Sequence, residues 1–362
     1  MIAALFVSLL TPAALAQAPG DFSFTGPILT AAMVPWGETV GSPSVVYNSV
    51  DDTYYMFFES RLSATDPDCP VGQWAIGLAT SPNGFDSWTV RPNPVIEPNP
   101  AGSTFHNCVA AHPGAHYQEV NAGLGRGVIN VYFKAEQSDD NCTPTAQSWG
   151  CEQYTGIGRY RIRFAGGAFL SDTLFASPVI EKDANFGYPK PLIFDGTWLL
   201  SYGVYPNVEL ATAPNASGPW TERGVILDQN TYNSDPDYSW MENEFFSPAL
   251  SCEQGETFPL ELWVGGRDTL YSFVVDGGLG LAVTADGQPG TWNLSEDPYF
   301  DILDDDEFRH WDVLRVDEGG SSEVLMWFDE KDASGNNEIH LAYTTASTSS
   351  WDNADVYLKE CD

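Results

Sequence analysis

The sequence predicts an all-β chain folded as a five-bladed β-propeller. A strand–turn–tryptophan unit recurs along it, and two further strand-like runs precede each copy. No helical periodicity of useful length interrupts the pattern.

The elements follow in order. Residues 1–16 carry an apolar run from Ile2 to Leu10 and then Ala14-Leu15-Ala16 before Gln17, which reads as a cleaved secretory signal. Residues 17–362 are then one propeller domain, exported to the periplasm or secreted. The clearest copies of the unit are Ile76-Gly77-Leu78-Ala79-Thr80-Ser81-Pro82-Asn83-Gly84 to Trp88, Val208-Glu209-Leu210-Ala211-Thr212-Ala213-Pro214-Asn215 to Trp220, Leu279-Gly280-Leu281-Ala282-Val283-Thr284-Ala285-Asp286-Gly287 to Trp292, and Ile339-His340-Leu341-Ala342-Tyr343-Thr344 to Trp351. The first interval is about twice the others and holds a degenerate copy, Gly156-Ile157-Gly158-Arg159-Tyr160-Arg161-Ile162-Arg163-Phe164.

Upstream of each copy an inner strand starts near a proline, at Ser42-Pro43, His112-Pro113, Lys190-Pro191 and Ser247-Pro248; the fifth, His310-Trp311-Asp312, lacks one. An aromatic second strand follows: Tyr54 to Phe58, Val131 to Phe133, Trp198 to Tyr202, Leu262 to Val264, Met326 to Phe328. A β-sandwich is the alternative, but a sandwich needs no fivefold repeat.

Composition narrows the partners. Fifty acidic residues against 15 basic ones give a formal net charge of −35. Nucleic acid and anionic membranes reward clustered Lys and Arg, so neither is expected. After the leader no segment approaches the roughly 18 apolar residues of a membrane span. Six cysteines in an exported chain predict disulfides; Cys142 and Cys151 could close a small loop, while Cys69, Cys108, Cys252 and Cys361 could pair in several ways. No CxxC spacing supports zinc, and no GxSxG, HExxH, Walker or Rossmann pattern occurs.

Ser42-Pro43-Ser44-Val45-Val46, Asp52 to Phe58, Ile76 to Gly84, Trp88-Thr89 and Asn93-Pro94-Val95-Ile96 resemble the five-bladed propeller glycosidases, the superfamily holding glycoside hydrolase families 43, 62, 32, 68, 117 and 130. The resemblance implies a plant or algal glycan in an axial funnel and hydrolysis of a glycosidic bond by a carboxylate pair. It departs where those families carry catalytic carboxylates, since Ser42, Lys190 and Phe246-Ser247 stand there. A non-catalytic carbohydrate-binding propeller is therefore the rival reading.

Starts of inner strands and ends of second strands share one propeller face, because neighbouring strands are antiparallel. That face gathers Ser42, Arg61, His112, Glu136, Lys190, Tyr205 and Arg267 as binding candidates, with Trp240 and Trp311 as further stacking platforms beside Tyr205. The basic residues Arg61, Lys134, Lys190, Arg267 and Lys331 favour an anionic glycan. Glu244, before the fourth inner strand among aromatics, is expected as the acid, Glu59 as the base and Asp312 as a tuning group. His112 could bind hydroxyls, pass a proton or ligate a metal. No cofactor is required; the resemblance implies at most a structural calcium ion in the axial channel near a histidine, and Asp304-Asp305-Asp306-Glu307 and Asp235-Pro236-Asp237 are oxygen-rich loops without the EF-hand spacing.

Overall fold

The computed structural model describes residues 22–63, 69, 72–99, 105–138, 152–165, 168–182, 186–232, 236–241, 244–252, 260–267, 277–298, 300–302, 309–318, 321–332, 334–344, 355–356 and 360–361. The leader and the Cys142–Cys151 loop lie outside them.

The strands form antiparallel meanders in four hydrogen-bonded sheets, and the nine-stranded one holds two meanders joined by the parallel pair Trp74–Val109. Their inner strands are Gly41–Asn48, Val109–Asn121, Phe186–Phe194, Glu244–Cys252 and Trp311–Glu318. The second strands are Thr53–Arg61, Arg126–Ser138, Thr197–Val204, Leu260–Arg267 and Ser321–Lys331, and the third are Trp74–Ser81, Glu152–Ala165, Asn207–Ala213, Gly277–Thr284 and Asn337–Thr344. Each inner strand packs on the inner strands of two neighbouring blades, and the fifth packs on the first, which closes the ring.

Alternation explains why both faces of each blade are apolar: every sheet packs on two others, so residues pointing either way are buried. One core lies between each neighbouring pair of blades. Phe57 and Ile76 meet Ile129 and Phe133 between blades 1 and 2, and Met56 meets Leu325 and Trp327 between blades 1 and 5. Trp88 and Trp292 are buried at the starts of the short outer strands Thr89–Val90 and Asn293–Leu294, and Trp220 packs in the same place before Thr221–Leu227.

The fifth blade differs from the expected repeat. Its outer partner is Phe22–Phe24, where Phe22 faces Thr344, so the two ends of the chain share one sheet. Trp351 lies outside the described residues. A closure that joins positions more than 300 residues apart leaves no trace in a local repeat, which is why the sequence did not reveal it.

Cys69 bonds Cys108, and Cys252 is also disulfide-bonded. Among the described residues no helix is long and apolar enough to cross a membrane.

Candidate active site in the axial funnel

Four inner strands carry the same defect. The ladder skips two residues in each: Ser42-Pro43, His112-Pro113, Tyr188-Pro189 and Ser247-Pro248. Proline has no N–H to donate, so a bulge is where a strand tolerates it. The residue before each proline is left-handed, with φ of +48° at Ser42, +48° at His112, +58° at Tyr188 and +47° at Ser247. A non-glycine side chain held there costs of order 1–3 kcal/mol, and such strain concentrates at functional sites.

This register corrects one sequence expectation. In blade 3 the bulge falls on Tyr188-Pro189, and Lys190 is back in the ladder opposite Ser201. The signal was present, since Gly187-Tyr188-Pro189 repeats Gly41-Ser42-Pro43, but the second proline at Pro191 masked it.

Two tiers of equivalent positions result. The ladder pairs Ser44 with Phe57, Gly114 with Tyr132, Lys190 with Ser201, Ala249 with Trp263 and Asp312 with Trp327. These first partners ring the axis. Two residues upstream on each inner strand stand Ser42, His112, Tyr188, Ser247 and His310, and two residues downstream on each second strand stand Glu59, Lys134, Gly203, Gly265 and Asp329.

The axial tier is closed by charge. The Lys190 ammonium donates to the carbonyls of Pro43 at 3.0 Å and Pro113 at 3.2 Å and lies 3.5 Å from Asp312 Oδ1. Asp312 Oδ2 accepts from Val45 N–H at 2.7 Å and Ser44 Oγ at 3.1 Å. Lys190 and Asp312 are thus a buried pair tying four blades together. The ammonium already takes the oxygens that line the axis, so the residues present do not fit a calcium ion there. Among the described residues no group of three or more His, Cys, Asp or Glu could hold a metal. The Asp304–Glu307 loop and Asp235 lie outside them.

The tier above gathers Glu59, His112, Lys134, His310 and Asp329. Glu59 is buried, and its Oε2 accepts the His112 backbone N–H at 2.7 Å, a donor the left-handed turn aims at it. Burial raises the Glu59 pKa and the nearby Asp329 charge adds to this, against His310 and the His112 N–H, which favour the ionised form. His112 Nε2 lies 3.7 Å from Glu59 Oε2. Burial, then Lys134, His310 and Lys190, hold the His112 imidazole well below the usual histidine range, so it is neutral at pH 7. Its Nδ1 and the Ser247 hydroxyl are buried without a hydrogen-bond partner among the described residues. The His112 ring stacks on Tyr188 at 3.9 Å, and Tyr188 stacks on His310 at 4.9 Å. Asp329 flanks the far side, with Oδ1 2.9 Å from His310 Nδ1.

The remaining expected residues divide. Ser42 is buried beside Glu59 and favours its ionised form. Lys134 and Glu136 form a buried ion pair, so with Lys190 two of the five expected basic charges are neutralised in place. Arg61 is exposed at the end of its strand, and Tyr205 is an exposed aromatic in the turn after the second strand of blade 3. Glu244 opens the fourth inner strand, half-buried, with its backbone opposite Arg267. The Arg267 side chain lies outside the described residues.

Both tryptophans depart from the expected platform role. Trp311 is fully enclosed, donates to the Trp263 carbonyl at 3.3 Å and packs edge-on to Phe246. Trp240 is buried over Gly266 and Gly280 and donates to the Glu296 carbonyl at 3.0 Å. Each fills the face of a glycine-bearing strand, where a large ring restores the missing side-chain volume. Tyr188, His310 and Asp329 stand in this tier without being among the residues expected from sequence, although His310 and Asp329 lie at strand ends of the same face.

No protein-family model matches the sequence, and no curated protein matches it. Solved structures do. A sucrose-6-phosphate hydrolase from Lactobacillus gasseri superposes with a TM-score of 0.55 at 12% identity, over 88% of this chain and 59% of that one. This chain thus spans about three fifths of that hydrolase's length. The catalytic domain of a Coprinopsis cinerea family 62 α-L-arabinofuranosidase gives 0.52 at 10% identity over 92% and 99% of the two chains. An α-L-arabinanase from Cellvibrio cellulosa, complexed with arabinohexaose, gives 0.53 at 11% over 89% and 96%. The fold is that of the β-propeller glycoside hydrolases.

Proposed function

We propose, from this fold and the polar side chains it gathers around its axis, that the chain is an exported glycoside hydrolase that binds a plant or algal glycan at the axis and cleaves a glycosidic bond. The observation that carries the reading is Glu59, a buried carboxyl one tier above the axial pair whose pKa is raised by burial and whose Oε2 is held by a backbone N–H. A carboxyl kept protonated toward neutral pH is what protonation of a leaving sugar oxygen requires. Glu59 is therefore the acid here rather than the base expected from sequence. The half-buried Glu244 and the exposed Tyr205 are its rim contacts to substrate.

The rival, a non-catalytic glycan-binding propeller, is favoured by a specific observation. Ser42, Lys190 and Phe246-Ser247 stand where the resemblance places carboxylates. Reducing-end release from a panel of plant and algal oligo- and polysaccharides separates the two when thermal shifts are read on the same panel. A melting shift without release would favour the binding module. Neutral and anionic glycans belong together in the panel, because two of the five basic charges are already paired.

A further inference from the structure

Asp329, His310 and Tyr188 form a hydrogen-bonded line across blades 5 and 3 with assigned donors and acceptors. Asp329 is buried, and Oδ1 accepts the His310 backbone N–H at 2.9 Å. His310 Nδ1 is 2.9 Å from Oδ1 and 3.1 Å from Oδ2. An ionised carboxylate only accepts, so in neutral His310 the proton sits on Nδ1 and Nε2 carries the lone pair. Nε2 is 3.1 Å from Tyr188 Oη, which must then donate to it. Carboxylate, imidazole and hydroxyl in this order are the arrangement that activates a nucleophile, with the third group orienting the base.

The backbone presents the phenol deliberately. Tyr188 is a bulky residue held at φ +58°, half-buried, its ring between those of His112 and His310. Gly203 stands where blades 1, 2 and 5 carry Glu59, Lys134 and Asp329, and a Cβ there would find nothing closer than Tyr188 Cδ2 at 3.7 Å. A glycine there leaves no side chain of that second-strand position against the ring at the tier of the acid.

We propose that Tyr188 is the nucleophile of this site, with His310 as its base and Asp329 as the group that orients His310. The inference rests on the hydrolase reading. Tyr188 Oη bonds to the anomeric carbon as its proton passes to His310 Nε2. The bond from that carbon to the leaving oxygen breaks, the electron pair stays on the oxygen, and Glu59 protonates it. Water then attacks the same carbon and gives its proton to the Glu59 carboxylate. The carbon–Oη bond breaks, and the phenolate recovers its proton from His310. Two displacements give net hydrolysis with retention.

The test uses phenylmethanesulfonyl fluoride on the full chain, with the modified residue found by peptide mass spectrometry between pH 5 and 10. The expected result is sulfonylation at Tyr188 already at pH 7–8, with a rate that falls at least about tenfold in His310→Gln and Asp329→Asn. Unlabelled Tyr188 below pH 9, or a rate that rises only near pH 10 as for a free phenol, overturns the assignment. The wild-type pH profile decides the matter even where a variant fails to fold. Tyr188→Phe with unchanged sugar release would also overturn it and leave the hydrolase reading intact. Labelled Tyr188 with no sugar release across the panel would support the nucleophile and remove the hydrolase.

Discussion

Replacing Asp312 by Ala should show up first in stability. The side chain is buried, accepts from Val45 N–H and Ser44 Oγ, and faces the Lys190 ammonium at 3.5 Å. Its loss takes the counter-charge from that buried ammonium, which keeps the carbonyls of Pro43 and Pro113, and it orphans the Val45 N–H. Breaking one partner of a buried pair costs about 3–5 kcal/mol, whereas removing both partners recovers much of that. With an unfolding entropy of about 2.1 cal/mol/K per residue, a chain of this length shifts its apparent Tm by about 4–7 °C. Guanidinium unfolding of wild type, Asp312→Ala, Lys190→Met and the double variant measures the coupling. The double variant is expected to be more stable than Asp312→Ala alone. A loss below about 1 kcal/mol for Asp312→Ala, or single effects that simply add, would refute the axial pair as a structural tie.

Three further outcomes follow from the same contacts. Gly114 lies so close to blade 3 that a Cβ would sit 1.6 Å from the Pro189 carbonyl oxygen, so Gly114→Ala should destabilise by about 3 kcal/mol or more; an unchanged midpoint would contradict the tight inner ring. The Cys69–Cys108 bond closes a 39-residue separation, for which chain entropy gives about 4 kcal/mol, and a Cys69→Ser/Cys108→Ser chain should lose most of it in denaturant titration. Unfolded His112 takes up a proton near pH 6.5 while the folded imidazole resists it, so acidification from pH 7 costs stability with a slope of up to about 1.4 kcal/mol per pH unit. Glu59 works the other way, since its raised pKa makes protonation favour the folded state as pH falls. Midpoints between pH 5 and 8 should therefore flatten in His112→Asn and steepen in Glu59→Gln, and parallel curves would remove the burial argument.

The fold was legible because a propeller writes its architecture locally. Trp88, Trp220 and Trp292 each begin an outer strand and fill the same space between blades, so one packing need recurs as one residue. The closure by Phe22–Phe24 was not legible, because its pairing reflects the geometry of the whole ring. At the site, the bulges at Ser42, His112 and Ser247 could be read from their prolines, whereas two successive prolines hid Tyr188 behind Lys190. Residue type also could not separate Glu59 from Asp312. Both are carboxylates at strand ends, but one meets a backbone N–H in the upper tier and the other a lysine at the axis. The indole rings of Trp240 and Trp311 look alike as platforms or as core until the glycines beneath them are placed.

The central claim is tested most directly by reducing-end release from the glycan panel with wild type and Glu59→Gln side by side. The account predicts release by wild type, a fall of about 10²–10⁴ in turnover for the variant, and a retained melting shift with the same glycan. Release at the wild-type rate by Glu59→Gln, or none from any glycan by the wild-type protein, would contradict it.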